Sequence, residues 1–382
     1  MVKKNKNTII AIALITFIGL MGASADKCFI RYELFDEMNS NYEFITADDK
    51  DISLAYMINF PLKSIFVDFN GYMRNLFGQR TMNGVVKLNN GHLILPEKKF
   101  TKEQTDYCAK QIVDFAQYCS SQGSNFVYIQ PPINTDVNNK QLPLGVEDYR
   151  NENVDGVIEI IKSHGVNVID LRQCMKDDDM DIYDYVYKTD HHWNTIGAFY
   201  GFQHIADYIE DVTGKGIDPK YTNLSNYRIK KYSNWHLGSA GQRVGQFFAG
   251  ADDYDLILPK FETRLSNGDG NIYTFEELAV NKETFRNKDA TNRYTYDRAF
   301  SVGWSNVEKA TPISVLILSD SYFTAISPYM NLAYDGYLYN YWPEGLKADT
   351  VKNMQPDAVI YMPYIYNDNN LKYIPPTENQ NQ

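Results

Sequence analysis

Asn125-Phe126-Val127-Tyr128-Ile129-Gln130-Pro131-Pro132 is the stretch on which the fold turns. Its apolar, β-favouring residues read as a short strand, and the two prolines stop it because neither has an N–H to give to a ladder. Upstream, Thr101 opens a helix with Gln104 three residues on, as a capping box requires. Cys108, Ile112, Phe115 and Cys119 share one face of that helix, so both thiols are expected to be packed. Before it, the β-rich run from Val85 to Leu95 is broken by Asn89-Asn90-Gly91, which predicts a hairpin. Downstream, Val154, Val157, Ile158 and Ile161 line a second helix that ends at Gly165, and Val166 to Leu171 reads as the next strand. Helix alternating with strand predicts an α/β fold, a mainly parallel sheet with helices on both faces.

The pattern continues outward. Tyr183 to Tyr187 is strand-like, and a third helix runs from about Thr195 to Val212 with Asn194 or Thr195 as its cap and Gly214 beyond it. Ile313 to Leu318, Tyr337 to Tyr341 and Ala358 to Tyr361 read as further strands. Between about Lys215 and Ala310, Tyr, Asn, Asp and Gly dominate, and only Glu276 to Leu278 suggests a helix, so residues 215–310 are expected to be an irregular insertion. The organisation is then a terminal segment 1–25, a weakly periodic lead-in 26–80, a main domain 81–374 and a polar, disordered tail 375–382.

The chain has 382 residues, 44% of them hydrophobic, with 37 Lys and Arg against 48 Asp and Glu for a net charge of −11. That composition supports a packed core and excludes fibrous or wholly disordered classes. It leaves no basic footprint for a nucleic-acid partner. Cys28, Cys108, Cys119 and Cys174 are too sparse for a disulfide framework, and none forms a CxxC pair, so no metal or cofactor is signalled. Lys3, Lys4 and Lys6 precede an uncharged apolar run from Thr8 to Ala25 that closes on Ala23-Ser24-Ala25. This describes a signal peptide or a single membrane anchor, and either one places residues 26 onward outside the cytoplasm, secreted or anchored to the membrane facing outward.

Two segments combine reactive side chains with strand ends. Asp190-His191-His192 precedes a helix, and Ser319-Asp320-Ser321 follows the Ile313 strand. Ligands of open α/β sheets bind beyond the carboxyl ends of the strands, so both segments would reach one edge. A serine hydroxyl needs an imidazole to take its proton, and the imidazole needs an acceptor to fix its tautomer. In extended backbone Asp190 and His192 point the same way and His191 the other. Trp193 is expected to pack as a platform, His204 and His236 to be packing residues, and Asp177-Asp178-Asp179 with Asp181 to be a solvated loop.

Thr189-Asp190-His191-His192-Trp193-Asn194 resembles the signature of the DHHW family, within the alginate O-acetylation branch of the SGNH hydrolase-like superfamily. Leu318-Ser319-Asp320-Ser321-Tyr322-Phe323 resembles that branch's Gly-Asp-Ser-Phe nucleophile block, with Ser319 in place of glycine. The Asp-x-His pair precedes the serine, which is the branch's order. The resemblance implies an SGNH hydrolase-like, flavodoxin-like fold with Ser321 as nucleophile, His192 as general base and then acid, and Asp190 as its orienter. It implies oxyanion donation by the Ser321 N–H, with Gly238, Asn194 and Ser319 as further candidates, Ser319 also being a rival nucleophile. The implied activity is O-acetyl transfer or ester hydrolysis on a cell-envelope or secreted polysaccharide, with a membrane-bound O-acyltransferase as partner. Two other readings stand beside it: a catalytically silent polysaccharide-binding scaffold of the same fold, and a metal-dependent DHH phosphoesterase.

Overall fold

The computed structural model describes residues 63–286, 304–308, 310–341, 344–364, 366 and 371–377. Two units make up the chain, Met1–Gly78 and Gln79–Gln382. The first contributes helix α1 (Lys63–Leu76). The sequence reading had no helix here, although Ile65, Phe69, Tyr72 and Leu76 recur at helical spacing. The signal-peptide or anchor segment, Thr8 to Ala25, lies outside the described residues. Among the described residues no helix is long and apolar enough to cross a membrane.

The second unit opens with a small antiparallel sheet, β1 (Thr81–Met82), β2 (Val85–Lys87) and β3 (Leu93–Ile94), which contains the expected hairpin. Helix α2 (Lys102–Ser121) starts at Thr101 with the full capping box, and it buries Cys108, Ile112, Phe115 and Cys119 as its spacing predicts. Then follow β4 (Asn125–Gln130), α3 (Arg150–Ser163), β5 (Asn167–Asp170) and α4 (Leu171–Asp177). Helix α5 (Thr195–Thr213) is capped by Asn194, whose side chain accepts the Gly197 N–H, and it ends at Gly214 with φ 67°.

The stretch expected to be an irregular insertion holds regular structure. Strands β6 (Tyr227–His236) and β7 (Asp252–Pro259) pair antiparallel, with α6 (Ser239–Val244) between them. β6 escaped the sequence reading because most of its residues are exposed and it shows no apolar alternation. β8 (Leu265–Ser266) pairs with β9 (Ser305–Asn306), and the short helix near Glu276 is Phe275–Leu278. The chain then completes the sheet with β10 (Thr311–Ser319), α7 (Ser327–Ala333), β11 (Tyr334–Tyr341), β12 (Leu346–Lys347), α8 (Ala348–Met354), β13 (Ala358–Met362) and β14 (Tyr373–Ile374). At the start of the tail the Thr377 N–H and hydroxyl both donate to Asp349, and residues 378–382 lie outside the described residues.

The central sheet has the order β11-β10-β13-β4-β5, with every neighbour pair parallel. The two-residue period of the strands sorts its side chains onto two cores. Val127, Ile129, Val315, Ile317, Ala358 and Ile360 pack with Phe199, Phe202 and Ile205 of α5 and Tyr329 and Met330 of α7. Phe126, Tyr128, Leu316, Leu318, Val359 and Tyr361 pack with Ile112 and Phe115 of α2, Val157 and Ile161 of α3 and Val351 of α8. Helices therefore cover both faces of a parallel sheet, as the alternating pattern predicts.

Candidate active site

The carboxyl end of β10 carries the serine. Ser319 and Met362 are register partners at the ends of β10 and β13, and the buried Ser319 hydroxyl donates to the Met362 carbonyl at 2.7 Å. Ser319 is thus spent on closing the strand ends, which removes it as a rival nucleophile. Asp320 turns the chain: its carboxylate accepts the Tyr322 N–H at 3.0 Å and the Tyr364 N–H at 2.7 Å, tying the turn Ser321–Ala325 to the segment after β13. Burial raises the Asp320 pKa, and those two N–H groups oppose the rise. Ser321 stands at the start of the turn and, among the described residues, nothing accepts its N–H.

The histidine arm is built differently. Tyr183 to Tyr187, expected as a strand, is a 3₁₀ turn at Ile182–Asp184 followed by an isolated bridge between Val186 and Trp193. The loop between the bridge partners is fixed by side chains. Asp252, at the start of β7, accepts the Lys188 N–H at 2.7 Å, the Thr189 N–H at 2.9 Å and the Thr189 hydroxyl at 2.6 Å. Asn134 donates to the Asp190 carbonyl at 3.3 Å. Trp193 is fully buried, as a platform should be, and its indole N–H reaches the Tyr322 carbonyl at 3.1 Å. Gly201 of α5 makes room for it, because a Cβ there would lie 2.6 Å from the indole ring.

These two arms bring Asp190, His192 and Ser321 into one hydrogen-bonded chain. His192 Nδ1 lies 2.7 Å from Asp190 Oδ1, and His192 Nε2 lies 2.6 Å from Ser321 Oγ. The second Asp190 oxygen accepts the Ser239 N–H at 2.6 Å. Gly238 permits that approach: a Cβ on it would sit 2.3 Å from Asp190 Cβ and 2.4 Å from Oδ2. Its own N–H goes to Thr189 Oγ1 at 2.9 Å, so Gly238 is a packing position and not an oxyanion donor. Asn194 is likewise committed, its amide donating to the Asp184 carbonyl at 2.7 Å while its oxygen caps α5.

His191 does not turn away from this chain as the extended-backbone reading expected. Its ring lies 3.9 Å from that of His192, and its Nδ1 is 3.1 Å from both Asp190 Oδ1 and Ser239 Oγ. His236 is fully buried, with Nε2 3.9 Å from Asp190 Oδ2.

Burial pushes the His192 imidazole down to about 4, and His191 adds to the effect while Asp190 opposes it. Burial also works against the Asp190 carboxylate, but His192 and the hydrogen bonds from both imidazoles outweigh it and hold the carboxyl well below its usual range. At neutral pH the site therefore holds an ionised acid, a neutral base and a serine hydroxyl in line. Asp190, His191 and His192 also present ligand atoms within 4.8 Å of one another, the one group of potential metal ligands among the described residues. A metal there would have to displace the 2.7 Å and 2.6 Å contacts of His192.

Beside Ser321 lies a cleft of 340 Å³ whose walls include Leu93, His191, Ser239, Arg243, Asp320 and Tyr364. Arg150 and Glu97 also line it. Arg150 joins the two arms. It donates to Asn134 Oδ1 at 2.6 Å, to the Tyr364 hydroxyl at 3.0 Å and to both oxygens of Asp148. Tyr364 in turn stacks on Tyr322 at 4.8 Å and 14°. The sequence reading missed Arg150, Asn134, Asp252 and Tyr364, which no motif marks, and it gave Ser239 no role.

Residues 93–234 match the model of the SGNH hydrolase-like domain of the acetyltransferase AlgX, a range that contains Asp190 and His192 and ends before Ser321. No curated protein matches the chain. Among solved structures, Bacillus cereus PatB1 with a sulfonyl adduct aligns at 20% identity with a TM-score of 0.57, covering 77% of this chain and 97% of that one. A second Bacillus cereus PatB1 structure aligns at 21% identity and 0.56, covering 75% and 97%. A DHHW family protein from Eubacterium siraeum aligns at 16% identity and 0.47, covering 74% and 91%. The PatB1 likeness shows a shared fold over about three quarters of the chain. The two motif blocks and the matched range agree: residues 93–234 are similar to the SGNH hydrolase-like domain of the acetyltransferase AlgX.

Proposed function

We propose that this protein is an extracytoplasmic, serine-dependent acyl ester enzyme that moves acetyl groups on a cell-envelope or secreted polysaccharide through an acyl-enzyme on Ser321. The observation that carries this reading is the chain Asp190 to His192 to Ser321, with contacts of 2.7 and 2.6 Å. The match of residues 93–234 to an acetyltransferase domain supports the acyl group, and the basic, apolar N-terminal sequence supports the location.

In the first step Ser321 Oγ attacks the acetyl carbonyl carbon while its proton passes to His192 Nε2. Asp190 holds the Nδ1 proton and balances the imidazolium. The tetrahedral oxygen takes its negative charge beside the Ser321 N–H. Collapse breaks the ester C–O bond, and the proton on Nε2 goes to the leaving hydroxyl. In the second step an incoming hydroxyl gives its proton to Nε2 and attacks the acyl carbon, and collapse returns the proton to Ser321 Oγ. A sugar hydroxyl makes the reaction a transfer and water makes it hydrolysis. A membrane-bound O-acyltransferase is the expected acetyl source.

The scaffold alternative rested on Ser319 in place of glycine, and the Ser319 hydroxyl is turned into the Met362 carbonyl, away from any reacting group. The test is labelling of residues 26–382 with a serine-reactive fluorophosphonate. Labelling is expected in the wild type and in Ser319→Ala, and is expected to vanish in Ser321→Ala and His192→Ala. No labelling of the wild type would favour the scaffold. Manganese-dependent release of phosphate from a phosphodiester would revive the phosphoesterase.

A further inference from the structure

A serine enzyme with a carboxylate-oriented base needs one imidazole on that carboxylate, and this site has two. His192 Nδ1 lies 2.7 Å from Asp190 Oδ1, and His191 Nδ1 lies 3.1 Å from the same oxygen. His192 reaches Ser321 with its other nitrogen, so the proton transfers are complete without His191. The two rings lie 3.9 Å apart, on a loop fixed by Asp252 and by the Ser239 N–H on Asp190. They differ in access. His192 is buried, whereas the His191 side chain is 28% exposed and forms part of the cleft wall. Ser239, whose hydroxyl lies 3.1 Å from His191 Nδ1, stands on the same wall. A carboxylate and two imidazoles thus converge where the cleft gives solvent a way in.

We infer that Asp190, His191 and His192 form an inhibitory Zn²⁺ site that shuts the enzyme reversibly. The inference rests on the reading of Ser321 as the reacting serine, because it names a regulator of that same site. Two imidazoles and a carboxylate are ligands that Zn²⁺ takes, whereas Mg²⁺ and Ca²⁺ favour oxygen. Tetrahedral bonds of about 2.0–2.1 Å set ligand atoms about 3.3 Å apart. The ligand atoms of this group lie within 4.8 Å of one another, and the two contacts on Asp190 Oδ1 are 2.7 and 3.1 Å, so the group brackets that spacing. Three protein ligands leave one position for water or for the Ser239 hydroxyl. Occupancy and catalysis exclude each other. An ion on His192 Nε2 takes the place of Ser321 Oγ. An ion on His192 Nδ1 replaces the proton there, and the neutral ring then carries its proton on Nε2, where it blocks acceptance of the serine proton. The ion here opposes the chemistry, in contrast to the phosphoesterase reading, in which it would perform it.

The test titrates the purified chain with Zn²⁺ alone, its free concentration set by a chelator buffer. Competition with a chromophoric zinc indicator reads binding, and the rate of fluorophosphonate labelling reads the serine. The wild type is expected to bind one Zn²⁺ per chain over the same range that slows labelling, and EDTA should restore the rate. His191→Gln should weaken binding and raise the inhibitory concentration by at least about tenfold, since even a residue that supports a ligand is worth that much. His204→Gln, in the separate cleft that also holds Cys174, should change neither. Ser321→Ala should still bind the ion. Zn²⁺ that binds without slowing labelling, or inhibition that His191→Gln does not relieve, overturns the proposal. A wild type that labels equally at every Zn²⁺ concentration rejects the proposal and leaves the catalytic reading intact. A wild type that never labels, yet binds one Zn²⁺ that His191→Gln loses, rejects the catalytic reading and with it the regulatory role, while the metal site stands.

Discussion

Ser321 follows a strand that is paired in register on both sides up to its last residue, Ser319 facing Met362 in β13 and Tyr341 in β11. Asp190 and His192 lie instead in a loop closed by a single isolated bridge and pinned from the insertion, by Asp252 of β7, Gly238 and Ser239. Ser321 is thus held by repeated backbone ladder bonds in the core of the sheet. His192 and Asp190 are held by a few side-chain contacts, each of which can be removed singly. A sheet spreads the loss of one bond over its neighbours, whereas a loop of this kind passes the loss directly to the geometry it holds.

The largest effect should come from the groups both arms deliver. Ser321→Ala and His192→Ala are each expected to lower kcat on an activated acetyl ester by roughly a thousandfold or more. Steady-state kinetics on the purified chain checks this, and a His192→Ala variant that kept near-wild-type turnover would break the link between the arms. Next comes Gly238→Ala on the loop arm. The added methyl would lie 2.3 Å from Asp190 Cβ and 2.6 Å from the Thr189 carbonyl, so the loop has to move. A displacement of about 1 Å is expected to cost roughly a hundredfold in kcat, because the reacting groups must meet in near-attack geometry. A Gly238→Ala enzyme with unchanged kcat would show that the insertion does not set the loop.

The same contrast explains what could be read from the sequence. The sheet was legible because β4, β10 and β13 are continuous apolar runs, and buried parallel strands are made of such runs. Asp190, His192 and Ser321 were legible because reactive residue types stand together at element ends. The loop's supports were not legible. Asp252 opens β7 as one of two adjacent aspartates, and Gly238 is one glycine among 23. Their value lies in contacts across 63 and 49 residues of chain, which no local period encodes. His191 was misread for a related reason. The alternation that sends neighbours to opposite sides holds for extended strands, and residues 186–193 turn back on themselves to form the bridge.

His191 also offers a smaller, graded test through pH. The base must be neutral to accept the serine proton, so kcat/KM rises with pH through the pKa of free-enzyme His192 and levels off above it. With His192 pushed down to about 4, the acidic limb should lie well below that of an ordinary histidine, and the enzyme should already be on its plateau near neutrality. Burial is the first cause and His191 the second. His191→Gln removes the neighbouring imidazole charge and leaves the burial, so the limb should move to higher pH without reaching the value of a free histidine. A limb that stays in place would assign the depression to burial alone.

The smallest effect is expected on the sheet arm. Ser319→Ala removes one buried hydrogen bond, from the serine hydroxyl to the Met362 carbonyl at 2.7 Å, and leaves that carbonyl short of a donor. Such a loss costs about 1–2 kcal/mol in unfolding free energy, measurable as a lower urea midpoint at constant slope. It should leave fluorophosphonate labelling intact, because the ladder from β13 through β10 to β11 and the two bonds to the Asp320 carboxylate still place Ser321. Labelling lost together with stability in Ser319→Ala would mean that the serine depends on a single contact as the loop does. Stability lost with labelling retained is what a nucleophile carried by a ladder requires.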